Sequence, residues 1–237
     1  MHDFTRVVRG PKLFSVSLLV CLLCLSVPAA KAETLFQVSG GQSGGNLGIS
    51  TAIVGPNVYG QWLGESFALS ETFSNVTITP SLGYYSQFGD FHGVAWLVDP
   101  LPTTNAPISS ASFTLSGDPS VSPRALLSGL TLGPGTYYFL LTGDPGASGY
   151  SGEAVWPNMF NYTVTTAPGV AAGSLSFVPG DGFDLAYPPN SGWYTYSAGY
   201  LPGPIRVTGD RAVPEPGTAA LLGLGFVLLA ARRRSRD

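Results

Sequence analysis

The chain has 237 residues, of which 44% are hydrophobic and 11% charged, and its formal net charge is −3. Residues 33–212, which we call the body, are more acidic than this value suggests. They contain eleven acidic residues, three arginines and no lysine, a formal net charge of −8. The basic surface that nucleic-acid binding requires is therefore absent from the body, and we expect no nucleic-acid partner.

The first 32 residues have the pattern of a secretory signal. Three basic residues precede the apolar run LFSVSLLVCLLCLSV, and PAAKAE follows it. A basic start, a short apolar stretch and the small residues Ala30 and Ala32 are typical of a Sec-type signal cleaved after Ala32. The alternative is a permanent membrane helix, but the run is short for the roughly 20 residues that a span needs. We predict a signal helix within 1–32, with the Sec translocon and signal peptidase as partners.

The only two cysteines, Cys21 and Cys24, lie inside this apolar run. A C-x-x-C pair can indicate redox or metal chemistry, but here leucines and valines flank it and signal cleavage would remove it. A lipoprotein signal needs a small residue before the cysteine, and Val20 and Leu23 occupy those positions. We expect a mature body without a thiol or a disulfide, held together by one hydrophobic core.

The body reads as a series of short strands. NVTIT at 75–79 and WYTYSA at 193–198 alternate, whereas VAWLV at 94–98 and TYYFLL at 136–141 are nearly continuous apolar runs. Glycine and proline interrupt every window before a helical period develops. The pattern predicts an all-β fold, an antiparallel two-sheet sandwich that is jelly-roll-like, with a Greek-key immunoglobulin-like sandwich as the alternative.

Turn residues separate these strands. Pro134-Gly135 predicts a type II turn, because proline presets φ and glycine accepts a positive φ. SGGQSGGN at 39–46 predicts a loop after the first strand. No low-complexity linker divides the body, so we expect one domain.

One short motif suggests a hydrolase. GQSGG at 41–45 fits the G-x-S-x-G pattern of a nucleophilic serine, which requires a strand before it and a helix after it. No helical pattern follows here, and the sole histidine beyond the signal, His92, would have to act as the base. A lone histidine before a strand is more typical of a surface or packing residue. We expect no catalytic serine and, with one histidine and no cysteine, no zinc site.

Carboxylates leave two possibilities open. Asp181 and Asp184 in GDGFD could offer oxygen ligands to a calcium ion, although their spacing does not match an EF-hand. A glycosidase needs two carboxylates facing one cleft, and eleven acids satisfy that condition by number alone. We expect no cofactor and no metal ligand set, with bound calcium as the open case.

Two groups of aromatic residues are candidates for sugar contact, because flat rings can stack on sugar faces. The first group consists of Trp193, Tyr194, Tyr196 and Tyr200. The second group consists of Tyr84, Tyr85, Phe88 and Phe91. Aromatic residues also favour strands and fill cores, so we expect most of these rings to be buried. The first group is the candidate glycan contact.

The chain ends in AVPEPGTAALLGLGFVLLAARRRSRD. Its apolar run, 217–231, is about 22 Å long as a helix, against a hydrocarbon layer of about 30 Å. Pro216 suits a first helical turn, and Glu215 at one end and arginines at the other suit the helix dipole. The arginines also favour the cytoplasmic side. We predict a short transmembrane helix over about 217–231, a basic tail over 232–237 and a body on the opposite side.

This combination resembles the PEP-CTERM sorting signal of Gram-negative bacteria, and the resemblance covers about the last 25 residues. It implies insertion in the inner membrane, recognition by an exosortase, and a cut near the Pro-Glu-Pro sequence. The implied sorting residues are Val213, Pro214, Glu215, Pro216, Arg232, Arg233 and Arg234. Proteins of this kind are associated with exopolysaccharide and biofilm.

The resulting expectation has three segments: a signal at 1–32, an extracellular sandwich domain at 33–212 and the sorting signal at 213–237. The protein would pass through the inner membrane to the cell surface or extracellular matrix. There it would be structural or glycan-binding and not an enzyme, with exopolysaccharide as a partner. The alternatives are a secreted glycan-active enzyme on a jelly-roll scaffold and an unprocessed, membrane-tethered periplasmic protein.

Overall fold

The computed structural model describes residues 32–40, 42–99, 106–160, 162–181, 194–195, 203–211 and 225. In these residues the fold is all-β and antiparallel, as the sequence predicts, and helix is limited to short 3₁₀ turns at Ser86–Phe88 and Gly146–Ser148 and to Gly225. The strands are β1 Glu33–Ser39, β2 Gln42–Val54, β3 Asn57–Leu69, β4 Phe73–Tyr84, β5 Phe91–Val98, β6 Ser109–Leu115, β7 Ser122–Pro123, β8 Leu127–Leu132, β9 Gly135–Gly143, β10 Tyr150–Phe160, β11 Thr163–Thr166, β12 Val170–Asp181, β13 Tyr194–Thr195 and β14 Ile205–Arg211.

The strands form one hydrogen-bonded path in the order β11-β1-β14-β4-β10-β2-β3-β9-β5-β6. β4 connects the two parts of this path, because residues 73–80 pair with β14 while Gly83 and Tyr84 pair with β10. β12 pairs along β3, and β7 and β8 pair with β4. Chain neighbours are therefore often separated in the sheet, and the first and last strands of the body, β1 and β14, are adjacent.

The three strands predicted from the most regular patterns are confirmed. In β4, Val76 and Ile78 are buried while Thr77 and Thr79 are half-buried, so the alternation in NVTIT separates a core face from an outer face. β5 and β9 contain the continuous apolar runs, and both bury side chains on both faces. Of the fourth predicted strand, 193–198, the structure describes only Tyr194 and Thr195, which form β13.

Two predictions about turns are wrong. Residues 42–46 of the predicted loop belong to β2, where they pair with the end of β10, and a strand partner outweighs the low strand preference of glycine. Gly135 does not have a positive φ and begins β9, so it is not the third residue of a type II turn. The tight β2–β3 hairpin turns instead at Gly55-Pro56, where Gly55 has φ +61°. Glycine at the first central position is typical of a two-residue hairpin loop.

The sheet folds over, so that strands distant along the path share one core. The rings of Phe36 in β1 and Phe67 in β3 have centroids 6.3 Å apart, although β14, β4, β10 and β2 separate these strands in the sheet. The main core contains buried residues from both parts of the path. A smaller cluster, Trp62, Trp96, Val98 and Leu140, lies on the opposite face of β3, β5 and β9. The predicted two-sheet, jelly-roll arrangement stays a prediction.

The chain divides into two units, Ala32–Ala212 and a unit made of Met1–Lys31 with Val213–Asp237. All strands belong to the first unit, and Gly225 alone represents the second among the described residues. No helix in the described part of the chain is both long and apolar enough to cross a bilayer. The predicted signal helix and, apart from Gly225, the predicted helix over 217–231 lie outside the described residues.

Candidate functional site

The last strand of the body leads directly into the proline-rich tail segment. In β14, Ile205 and Val207 are buried in the core, and the strand lies between β1 and β4. Glu33, the first residue of β1, is paired with Gly209 near the end of β14. The body therefore begins and ends at the same place, with Ala32 exposed just before β1.

Arg211 fastens the end of β14 to three other segments. Its Nε donates to Oε1 of Glu33 at 3.3 Å, and its Nη1 lies 2.5 Å from Oε1 of Glu71 in the β3–β4 turn. Its Nη2 donates to the carbonyl of Pro168 at 2.9 Å, and the guanidinium lies 5.5 Å from the ring centre of Phe73. We call this arrangement the Arg211 clamp. It holds the chain in the sheet up to the residue before the tail segment, which begins at 212.

Replacement of Arg211 by methionine should lower the free energy of unfolding by about 1–2 kcal/mol. The effect is moderate because the paired side chains are all more than a third exposed, which weakens their attraction. Urea unfolding at low and high salt measures it, and the loss should shrink at high salt as the charges are screened. Arg206→Met on the same strand is the control, and an equal loss in both variants would contradict the clamp.

A second polar contact supports the same strand. Asn75 has a positive φ of 51°, and its Nδ2 donates to Oδ2 of Asp210 at 2.7 Å. The contact spans an irregularity in the β4–β14 register between Thr208 and Asp210. Asparagine adopts a positive φ more readily than most residues. Both the backbone conformation at position 75 and the hydrogen bond to Asp210 therefore favour asparagine there.

The predicted sorting residues Val213, Pro214, Glu215, Pro216, Arg232, Arg233 and Arg234 lie outside the described residues, and so does Ala30. The candidate glycan residues Trp193, Tyr196 and Tyr200 lie outside them as well. Tyr194 is described only as backbone in β13, paired with Phe177 of β12. All these assignments stay predictions.

The second aromatic group divides between core and surface. Tyr84 and Phe91 are buried, and the Tyr84 hydroxyl donates to the carbonyl of Gly117 at 3.0 Å. Tyr85 and Phe88 are 37% and 44% exposed, and their rings meet edge to face with centroids 6.4 Å apart. The 3₁₀ turn at Ser86–Phe88 brings this exposed pair together. The sequence groups all four rings but does not separate the exposed pair from Tyr84 and Phe91, because that division depends on where β4 ends and β5 begins.

The residues considered for hydrolysis do not form a shared site in the described structure. Ser43 lies in β2 opposite Met159 of β10, without the strand–turn–helix geometry of a nucleophile elbow. His92 is exposed on β5, and its Nδ1 contacts the Thr114 hydroxyl at 3.2 Å. Asp181 ends β12, and Asp184 lies outside the described residues. No group of three or more metal-binding side chains occurs among the residues described. Bound calcium at Asp181 and Asp184 stays a hypothesis from the sequence.

Glu65, which sequence reasoning did not single out, is a buried acid in the middle of β3. It is 1% exposed, and the alternation along β3 places it on the same face as the core residues Leu63 and Phe67. Neither carboxyl oxygen has a hydrogen-bond partner of normal geometry. Burial raises the pKa of Glu65 to about 8, and the backbone amide of Ser66 offsets only part of this rise. An acidic side chain without a hydrogen-bond partner is unusual in a hydrophobic core. Because it is buried, this carboxyl is not accessible to a substrate.

Comparison with known proteins adds one finding. Residues 212–234 match the family model described as PEP-CTERM protein-sorting motif. This motif indicates export and sorting to the cell surface in bacteria, with exosortase as the processing partner. The similarity predicted for the tail is thereby confirmed, and the match begins one residue after the Arg211 clamp. Searches of curated proteins and of solved structures found no match to the chain.

Proposed function

We propose that this chain, a carrier of the PEP-CTERM sorting motif, is a non-enzymatic protein of the cell surface or extracellular matrix of a Gram-negative bacterium. It enters export through a cleaved signal at 1–32, is held briefly in the inner membrane, and loses its tail to exosortase. Its body serves in the exopolysaccharide or biofilm matrix as a structural or glycan-binding module. The observation that carries the proposal is the match of residues 212–234 to the sorting motif.

The geometry of the body supports a processed tail. The Arg211 clamp holds β14 in the sheet up to Arg211, and the motif starts at the next residue. Removal of a segment beyond that point would leave every described strand and the whole described core in place. The apolar run at 217–231 is also short for a permanent transmembrane helix, which favours transient insertion in the membrane before the tail is removed.

The described chemistry supports a non-enzymatic role. His92 is exposed and contacts Thr114, Ser43 is part of a paired strand, and the raised-pKa acid Glu65 is enclosed in the core. An acid and a base must converge on one accessible point for general acid–base catalysis. His92, Ser43 and Glu65 do not converge on one accessible point. The exposed rings of Tyr85 and Phe88, by contrast, are available for contact with a ligand.

Glu215→Gln tests the sorting role. If exosortase reads the acid between the two prolines, the variant should accumulate in the membrane as precursor, and the surface-associated form should fall by about tenfold or more, as expected for loss of a charged hydrogen-bonding group. The measurement is cell fractionation followed by intact mass of the surface form. The wild-type surface protein should end near the Pro-Glu-Pro sequence and lack residues 232–237.

Asp237→Asn is the matched control, because it removes an acid of the same segment outside the Pro-Glu-Pro sequence. Its release should equal that of the wild type. Unchanged release of Glu215→Gln would refute recognition of this acid. A surface form that still carries the terminal arginines would refute processing and favour a permanently tethered protein.

A further inference from the structure

A shallow groove lies on the outer face of the sheet where β1, β14 and β4 meet. Its volume is about 150 Å³, the liquid volume of about five water molecules. Arg206 of β14 lies in it, with Gln37 of β1 and Thr79 of β4 directly opposite on either side. These three residues alternate with buried neighbours in their strands, so their side chains share the outer face.

Arg206 differs from the other two arginines of the body. Arg211 is neutralised by Glu33 and Glu71 in the clamp. Bonds from the Ser120 backbone amide and hydroxyl lower the pKa of Asp118, and nearby Arg124 lowers it further. In the part of the chain that the structure describes, neither Arg124 nor Arg206 forms an ion pair, but Arg124 is half-buried with an enclosed Nε, whereas Arg206 is exposed. The body has a net charge of −8, so the exposed guanidinium of Arg206 is a positively charged point on an otherwise acidic surface.

The rest of the groove offers neutral hydrogen-bonding groups and small apolar surfaces. Ser39 and Ser81 line it beside Gln37 and Thr79, and Pro204 adds an apolar surface. The strands beneath are already paired on both sides, β1 with β11 and β14, and β14 with β1 and β4. An extended peptide therefore cannot bind there by adding a strand, which needs a free sheet edge. A ligand must be recognised through side chains alone.

The chemistry of these side chains indicates an acidic sugar. A guanidinium binds a carboxylate through two parallel hydrogen bonds, while hydroxyl and amide groups suit sugar hydroxyls. Proline offers an apolar surface to the C–H face of a sugar ring. A single arginine balances the one negative charge of a carboxylate, whereas a phosphate monoester carries nearly two.

We propose that this groove binds a uronate unit of an acidic polysaccharide, with Arg206 holding its carboxylate and Gln37 and Thr79 holding ring hydroxyls. This rests on the glycan-binding form of the proposed function and names its ligand class. The net charge of −8 on the body repels a polyanionic chain, so Arg206 supplies the electrostatic attraction in this proposal.

Calorimetric titration of the full chain in detergent with tetragalacturonate tests the proposal, with the carboxyl-reduced, neutral tetrasaccharide as the parallel ligand. Wild type should prefer the acidic ligand, and Arg206→Gln should weaken its binding by about ten- to a hundredfold. Thr79→Ala should weaken it several-fold. Thr77→Ala is the control, because Thr77 is half-buried on the same face of β4 but does not line the groove. Unfolding curves of the variants show that the fold is retained.

Each contrary result has a distinct meaning. Equal binding of the acidic and neutral ligands, or full binding by Arg206→Gln, would overturn the groove while glycan binding stands. Displacement of the uronate by an equal concentration of inorganic sulfate would overturn the sugar assignment. Binding of neither oligosaccharide would overturn the groove but not a glycan contact at Trp193, Tyr194, Tyr196 and Tyr200, and the mass measurement on the tail would still decide surface sorting separately.

Discussion

The body is expected to unfold more easily at pH 8 than at pH 5, and Glu65→Gln is expected to remove that difference. The buried carboxyl of Glu65 has a pKa of about 8 in the folded chain, against an ordinary value of 4.5. Between these two values the folded state keeps a proton that the unfolded state has released. The stability associated with the proton is therefore complete below about pH 4.5 and lost as the pH rises through 8.

The size of this effect follows from the same linkage. The free energy of unfolding should fall by up to about 1.4 kcal/mol per pH unit, on the order of 3 kcal/mol between pH 5 and pH 8. This is a large share of the stability of a typical domain. Glutamine keeps the shape of the protonated acid but does not ionise. The variant should match the wild type near pH 5 and exceed its stability at pH 8.

Urea unfolding from pH 5 to pH 9, followed by the fluorescence of the buried Trp62 and Trp156, gives both profiles. Asp90→Asn is the control, because Asp90 is an exposed acid just before β5 and its replacement should leave the wild-type slope intact. Parallel profiles for wild type and Glu65→Gln would show that Glu65 is hydrated or paired in solution.

Phe67→Ala is expected to lower the free energy of unfolding by about 3–5 kcal/mol. Phe67 is fully buried, stacks on Phe36 at 6.3 Å and on Tyr137 at 5.7 Å, and therefore joins strands from both parts of the folded-over sheet. Truncation to alanine would leave a cavity between Phe36 of β1 and Tyr137 of β9, which are held in place by their own strands. Phe88→Ala is the matched control, since the same ring at a 44% exposed position should cost less than about 1 kcal/mol.

A double-mutant cycle with Phe36→Leu and Phe67→Leu tests the contact itself. Stacked rings in direct contact should give a coupling energy of about 0.5–1.5 kcal/mol. Strictly additive losses would mean that β1 and β3 do not face each other, and the folded-over arrangement of the sheet would be wrong.

Local sequence patterns were sufficient to predict the all-β class of the fold and the sorting of the chain to the cell surface. NVTIT alternates in the sequence as its side chains alternate in β4, because the geometry of a strand places successive residues on opposite faces. The sorting motif is likewise a linear pattern, and the match at 212–234 depends on no folded neighbour.

Tertiary structure alone decided which residues meet. Phe36 and Phe67 stack, Glu65 is enclosed, and Arg206 lies between Gln37 and Thr79 because strands far apart in the chain pair in one register. The Gly-rich stretch at 42–46 became a strand for the same reason, since β10 supplies a partner for its backbone. A register shift of one residue would exchange the core and outer faces of a strand. Such pairing is selected by the burial and hydrogen bonding of the whole sheet, and no short segment of sequence contains that information.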